Sequence, residues 1–395
     1  MLRILFVNFP AEGHVNPTLG ITQAFTARGD EVHYITTEKY QERLEAVGAI
    51  VHLHPDLVRT ALIDTSNRES INEFMKIHIR TSLDILEIAR QLSDTMAFDL
   101  VLYDRFGAGE LVRDMLNIPG ISSSPSFLIS NKHMATNLFR PNAESPGQPD
   151  PFVAESLTLM REKYGVAPKE MVQFMNNSGA LNIVYTSRYF QPNGDQFEEQ
   201  NLFIGPSFPE RKGSGPFPLD QLTNKKVLYI SMGTVLNHIE EFFNTCIEAF
   251  TDFDGIVVIA AGEKADLTKI NPAPANFIIS SYVPQLDVLR HTDVFITHGG
   301  MNSVNEGIHF EVPLVVLPQD KDQPMVAQRL TELQAGYRIT KDQMNVQSLQ
   351  TAVREVLSNP AYQEGVRKIN HSFQQCGGTD EALRHIDAYL QRIQA

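Results

Sequence analysis

The chain has 395 residues, too many for one hydrophobic core, so two domains are expected. Hydrophobic residues make up 42% and charged residues 20%, an ordinary balance for a globular protein in water. The 33 basic against 47 acidic side chains give a formal charge of −14, which argues against nucleic acid or an anionic membrane as partner.

A small anionic ligand held by backbone dipoles remains compatible with that charge. Cys246 and Cys376 are too few for a disulfide framework or a thiolate metal site. Residues 1–7 are apolar, but Asn8 and Pro10 end the run before it reaches a signal-peptide core. No stretch approaches the ~18 apolar residues of a membrane-spanning helix, and a cytoplasmic, reducing location is expected. Asn176-Asn177-Ser178 and Asn370-His371-Ser372 fit the glycosylation pattern and are read as chance matches.

In chain order, residues 2–8 read as a strand, 17–28 as a helix opened by Pro17, and 31–36 as a second strand. A helix over 38–47 stops at Gly48, and a short strand follows over 50–53. Residues 99–103 and 121–123 read as buried strands with a helix between them, and 181–186 and 201–204 close this half. Strands spaced by helices of this kind imply a parallel, doubly wound α/β sheet. Residues 205–222 read as a linker because GPSFPERKGSGPFPL is rich in glycine and proline. The pattern then restarts with strands over 227–231, 255–260, 276–279, 294–297 and 314–317 and a helix over 240–250. Three further helices begin near Gln323, Val346 and Asp380. The expected organisation is one Rossmann-like domain over 1–204, a second over 223–379, and a last helix over 380–395 able to pack back on the first.

In such sheets ligands lie beyond the carboxyl ends of the strands, where the notable polar residues fall. His14, after Glu12-Gly13, follows the first strand and precedes Asn16-Pro17. A neutral imidazole there can take a proton from a hydroxyl, and Asp104, ending the strand over 99–103, is placed to orient it. Asp99 begins that strand and lies at the wrong end. The plainer readings are a structural hydrogen-bonding histidine and a capping carboxylate.

Farther on, His298-Gly299-Gly300-Met301-Asn302-Ser303 follows a strand. Its glycines let backbone approach a ligand, and Asn302 or Ser303 can start a helix whose amino end accepts phosphate. Glu306 lies one helical turn beyond Asn302, where a carboxylate can accept from ribose hydroxyls. Asp322-Gln323 after the strand over 314–317 offers donors and acceptors to a sugar. Tyr282-Val283-Pro284-Gln285 offers an aromatic face and an amide to a planar base, and Ser231-Met232-Gly233-Thr234 adds a hydroxyl and N–H groups for a diphosphate. Asp320-Lys321-Asp322 spells a possible metal-chelating DxD, read as accidental because no converging oxygens are evident nearby.

The block from Tyr282 to Gln323 resembles the nucleotide-sugar signature of family 1 glycosyltransferases, the UDP-dependent enzymes of the GT-B fold. It does so through Pro284-Gln285, the His298, Gly300, Asn302-Ser303 and Glu306 core, Val312-Pro313 and Asp322-Gln323. With PAEGHVNP near the start and SMGT in the second half, the likeness spans nearly the whole chain and is strongest to the bacterial macrolide- and flavonoid-modifying branch. The resemblance implies two Rossmann-like domains facing each other across a cleft. It implies Gln285 at the uracil edge, Glu306 at the ribose, His298, Asn302, Ser303 and Thr234 around the diphosphate, Asp322 and Gln323 on the hexose, and Tyr282, Val283 and Gly300 in the same donor site. Tyr282 stands where the family places a stacking tryptophan, and Glu311 replaces the usual glycine before Val-Pro, read as a surface difference.

The implied chemistry is an inverting, metal-independent and cofactor-independent transfer of a hexose, glucose by default, from a UDP-sugar to a hydroxyl. His14 would act as base, oriented by Asp104. The acceptor is expected to be small, hydrophobic and hydroxylated, because residues 74–90 and 106–175 carry Met75, Phe106, Phe127, Met134, Phe139, Met160, Met171 and Phe174, with His133 among them. Most of those side chains are also expected core. The competing readings are a GT-B epimerase or cell-wall N-acetylglucosaminyltransferase, and a non-catalytic nucleotide-sugar sensor.

Overall fold

A computed structural model describes residues 1–57, 68–129, 150–170, 173–174, 176–208, 217–233, 239–262 and 265–394. The backbone divides into two compact units, one of Met1–Ser187, Asn193–Pro209 and Cys376–Ala395, the other of Arg188–Pro192 and Glu210–Gln375.

The first unit runs β1 (Arg3–Val7), α1 (Glu12–Ala27), β2 (Glu31–Thr36), α2 (Glu38–Ala46), β3 (Ile50–Leu53) and α3 (Arg68–Ser93). It continues through β4 (Leu100–Asp104), α4 (Gly109–Leu116), β5 (Gly120–Ser124), α5 (Pro151–Tyr164), β6 (Leu181–Val184) and β7 (Asn201–Phe203). These strands form one parallel sheet in the order β3-β2-β1-β4-β5-β6-β7. Alternate residues of a strand point to opposite faces, and helices cover both faces of this sheet. Ile4, Phe6, Tyr34 and Leu102 pack with Val15, Leu19 and Phe25 of α1. Leu5, Val7, Ile35 and Val101 pack with Met75, Ile79 and Leu86 of α3. Burial on both sides explains why these strands read as unbroken apolar runs.

The second unit runs β8 (Val227–Ser231), α6 (Ile239–Phe250), β9 (Ile256–Ala260), β10 (Phe277–Ser280), α7 (Gln285–Leu289) and β11 (Val294–Thr297). It continues through α8 (Met301–His309), β12 (Leu314–Val316), α9 (Gln323–Glu332), β13 (Gly336–Arg338), α10 (Val346–Ser358) and α11 (Pro360–Gln374). Its parallel sheet has the order β10-β9-β8-β11-β12-β13. The last helix, α12 (Gly378–Gln394), belongs to the first unit, where Ala382, Ile386 and Leu390 join the cluster of Ile4, Phe6 and Phe25. Each sheet winds outward both ways from its first strand, so each has a topological switch point: β1/β4 in one unit, β8/β11 in the other.

Several expectations are corrected. The first helix begins at Glu12, and Pro17 lies inside it. Ala11 caps that helix without a side-chain bond, so the proline was the stronger start signal in the sequence. Four helices, not three, follow β12, because Asn359 caps α11 through Ala361 N–H directly after α10 ends. The strand β13 was not expected, because its three residues, Gly336-Tyr337-Arg338, do not form an apolar run. Part of the expected linker, residues 209–216, lies outside the described residues, and Leu219–Leu222 forms a 3₁₀ turn with Leu222 buried.

Glu311 is more than a surface difference. It follows the end of α8 in the left-handed region at φ 58°, a position that favours glycine. Its side chain supplies a reason for glutamate: the carboxylate accepts from Arg367 Nε at 3.2 Å and from Asn370 Nδ2 at 3.2 Å. Its carbonyl accepts from Gln363 Nε2 at 2.8 Å, so the residue fastens α8 to α11. Glu311→Ala keeps the strained backbone and loses both side-chain bonds, and is expected to cost about 1 kcal/mol in urea unfolding. Glu311→Gly relieves the strain and should be the more stable of the two. The reverse order would remove this explanation.

Candidate active site

At the switch point of the first unit, β1 leads into α1 and β4 ends at Asp104. His14 lies in the first turn of α1 and its Nδ1 is 2.8 Å from Asp104 Oδ2. Asp104 is 1% exposed, and its other oxygen accepts from Phe106 N–H at 2.7 Å. A carboxylate accepts only, so Nδ1 of His14 carries a proton and donates in this contact, which leaves Nε2 as the nitrogen facing away from Asp104. Phe9 and Phe106 wall the ring edge-on, with centroids 5.0 and 5.2 Å away. The sequence-level pairing of His14 with Asp104 is thus present as a contact.

The turn that carries Asp104 is clamped by a residue that the sequence did not reveal. Asn177, 1% exposed, donates its backbone N–H to Arg105 O at 2.6 Å and its side-chain amide to Asp104 O at 3.1 Å and Gly107 O at 3.0 Å. Arg105, also buried, reaches Asn176 Oδ1 and Ile129 O, while Gly107 N–H donates to Phe174 O at 2.7 Å. The Asn176-Asn177-Ser178 sequon is therefore interior scaffolding rather than a surface acceptor. Burial lowers the Arg105 pKa to about 10, with Asp104 pulling the other way.

In the second unit the switch point places the turn after β8 beside the turn after β11. The His298 ring fills the space above Gly233 and Gly300: a Cβ on Gly233 would meet its Cε1 at 2.7 Å, and one on Gly300 would meet its Nε2 more closely still. Gly233 also has φ +73°, so two separate demands select glycine there. Thr297 Oγ1 lies 3.4 Å from His298 Nδ1. Burial pushes the His298 pKa down to about 4, against the opposing pull of Asp322 and Asp320, so the ring is a neutral N–H donor. Thr234, expected at the diphosphate, lies outside the described residues.

Helix α8 starts earlier than expected. Its N-cap is Gly300, without a side-chain cap bond, and Asn302 and Ser303 are its second and third residues. Their side chains stand beside a helix amino end whose first amides have no carbonyl partner within the helix. Glu306 is 4% exposed and accepts from Gln285 Nε2 at 2.5 Å, while Gln285 Oε1 accepts from Tyr229 O–H at 3.0 Å. The two residues expected at the nucleoside are thus tied to each other. Tyr282 is 61% exposed, presenting its ring, and the adjacent Val283 is buried. Asp322 is the N-cap of α9 without a cap bond. Gln323 is buried, its Oε1 accepting from Gln319 N–H at 2.8 Å, so its amide orders the loop before α9. Among the described residues no three His, Cys, Asp or Glu cluster as metal ligands, and no helix is long and apolar enough to cross a membrane. His133, Met134, Phe139 and Met171 lie outside the described residues, while Met75, Phe127, Met160 and Phe174 are buried.

The neutral state of His298 has a sign that can be measured. The unfolded chain takes up its proton near pH 6.5 and the folded chain only near pH 4, so the group withdraws stability as pH falls through that window. An NMR titration of the ring should give a midpoint near 4. A midpoint close to that of free histidine would show the ring in water.

Comparisons with known proteins bear on the family and the fold. The family model described as "UDP-glucoronosyl and UDP-glucosyl transferase" matches residues 220–377. The "uncharacterized UDP-glucosyltransferase YdhE" of Bacillus subtilis (strain 168) is 61% identical over 392 residues, covering 99% of each chain. The demethyllactenocin mycarosyltransferase of Streptomyces fradiae is 29% identical, over 99% of this chain and 87% of its own. The crystal structure of CalG4, the calicheamicin glycosyltransferase, superposes with a TM-score of 0.83 at 28% identity, over 100% of this chain and 99% of its own. With two parallel doubly wound sheets, a histidine–carboxylate pair and these relatives over its full length, the chain belongs to the UDP-glucoronosyl and UDP-glucosyl transferase family and is a UDP-glycosyltransferase of the GT-B fold.

Proposed function

We propose that the enzyme transfers a hexose, glucose first, from a UDP-sugar to a hydroxyl of a small hydrophobic acceptor in one inverting, metal-independent displacement. The observation that carries this reading is the 2.8 Å contact between His14 Nδ1 and a buried Asp104 whose second oxygen is also engaged. A pure nucleotide-sugar binder needs no oriented base. The calicheamicin and demethyllactenocin enzymes are named for small molecules, which supports an acceptor of that size here.

In the proposed step, Nε2 of His14 takes the acceptor's hydroxyl proton as the oxygen attacks the anomeric carbon. The bond from that carbon to the diphosphate breaks, and its electron pair leaves with UDP. Asp104 stabilises the imidazolium that forms and keeps its ring from turning. The amino end of α8, Asn302, Ser303 and the neutral His298 N–H receive the charge that develops on the diphosphate. Tyr282 supplies the stacking face for uracil with Val283 beside it. The linked Gln285 and Glu306 address the nucleoside, and Asp322 with Gln323 addresses the hexose. The first unit is read as the acceptor unit and the second as the donor unit.

UDP release from UDP-glucose with hydroxylated aromatic acceptors, with products weighed by mass spectrometry, tests this directly. His14→Ala should lower kcat by about a thousandfold, and Asp104→Asn by at least about a hundredfold, with UDP affinity retained. Asn177→Ala should lower kcat by about tenfold by loosening the turn that holds Asp104, leaving the donor KM unchanged. Equal turnover in His14→Ala and wild type would overturn the mechanism. A rate lost on chelation with EDTA would overturn its metal independence.

A further inference from the structure

The turn of α1 that carries His14 is short of ordinary helical bonds. The first amides of a helix have no carbonyl behind them, and Pro17, inside α1, has no N–H to give the Gly13 carbonyl one turn back. Ala11, the N-cap, adds no side-chain bond, and its carbonyl accepts both His14 N–H and Val15 N–H, each at 2.9 Å. A side chain from the end of β1 grips the turn from outside the helix. Asn8, directly after β1 and 1% exposed, donates its amide to the His14 carbonyl at 3.0 Å and to the Tyr34 hydroxyl oxygen at 2.7 Å.

The chemistry of the partners fixes the direction of every bond. A carbonyl only accepts, so the atom of Asn8 facing His14 O is the nitrogen. The Thr18 hydroxyl gives its one proton to Val15 O at 2.8 Å. Tyr34 therefore donates to Thr18 Oγ1, also at 2.8 Å, and its oxygen accepts from Asn8. Burial pushes the Tyr34 pKa up, so the hydroxyl keeps the proton that this chain requires. The Tyr34 ring is itself buried and stacked on Phe6 at 4.6 Å. Asn8 thus holds two consecutive carbonyls of α1, His14 O directly and Val15 O through Tyr34 and Thr18. Asn8 Oδ1, by contrast, has no hydrogen-bond partner among the described residues. A buried acceptor left unmet destabilises a fold, so an amide is not the side chain that stability alone favours at this position. Its two donors give it a use.

We propose that Asn8 is a positioning residue for the base, fixing the peptide that carries His14 and so the line from Nδ1 to Asp104. The assignment rests on the transferase reading above and adds a second half to its scaffold: Asn177 grips the backbone of Asp104, and Asn8 that of His14. Buried as it is, Asn8 acts only through His14. Without its amide the first turn of α1 gains freedom and the 2.8 Å contact with Asp104 is broken for part of the time. The ring then samples its other tautomer, and fewer bound molecules stand aligned for proton transfer.

The test reads the tautomer, which a merely structural role would not move. Long-range ¹H–¹⁵N spectra of the full-length protein are recorded above the ordinary histidine range, and the His14 ring is identified by its loss in His14→Ala. In wild type the proton should reside on Nδ1, and in Asn8→Ala the two tautomers should mix. Tyr34→Phe, which removes one oxygen and keeps the ring on Phe6, should fall between them. With 2-naphthol as acceptor, kcat for UDP release from UDP-glucose should drop about tenfold in Asn8→Ala and about threefold in Tyr34→Phe. KM for UDP-glucose should stay unchanged in both. Because the two residues act in one chain, the double variant should be no slower than Asn8→Ala. A wild-type tautomer in both variants would overturn the assignment, as would a lower melting temperature in Asn8→Ala with kcat unchanged. Mixed tautomers in wild type would overturn the fixed contact on which it stands. If Asn8→Ala does not fold, Tyr34→Phe decides by the same two readouts. No UDP release by wild type, with 2-naphthol or with water as acceptor, would overturn the transfer reading, while the tautomers still decide the positioning role.

Discussion

A carboxylate taken out of water is unfavourable unless every lone pair finds a donor, and Asp104 shows how much structure that requirement recruits. One oxygen meets His14, the other the Phe106 amide, and the turn between them is held by Asn177 from a different segment of chain. The imidazole can hold its orientation only because the carboxylate cannot move. The arrangement sits where the sheet reverses its winding, so β1 and β4 are adjacent strands and their carboxyl ends bring residues 14 and 104 together without distorting either element.

The second unit solves a related problem by other means. There the constraint is steric: an imidazole occupies the space above two glycines, and any side chain at Gly233 or Gly300 would displace it. The same crowding desolvates much of the half-buried His298 ring and favours its neutral form, so packing acts on both its position and its protonation. Gln285, Glu306 and Tyr229 form a chain of hydrogen bonds, which fixes the side chains proposed to address the nucleoside before any ligand arrives.

What could be read from the sequence follows from the length scale of each signal. Strands buried on both faces, such as β1 and β4, announce themselves as apolar runs, and the block from Tyr282 to Gln323 carries its meaning in spacing. The pairing of His14 with Asp104 was legible because both follow strand ends. Helix starts were not: α1 and α8 begin at Glu12 and Met301 with no capping side chain, so Pro17 and Asn302 attracted the assignment instead. Asn177 was invisible because its role depends on contacts with residues some seventy positions away. Glu311 was misjudged because a left-handed backbone occupied by glutamate leaves no mark in composition.

The closing helix α12 has a consequence for how the protein is made. It supplies Ala382, Ile386 and Leu390 to a core whose other members begin at Ile4, so the first unit is complete only when Gly378–Gln394 have been synthesised. Every residue of the second unit leaves the ribosome before that point. The amino-terminal unit therefore reaches its final packing only after the second unit has been synthesised, whereas an amino-terminal domain made of contiguous chain can finish first. During synthesis the first sheet waits with the α1 side of its core incompletely covered, and that interval is when the chain is most exposed to aggregation and most dependent on chaperones.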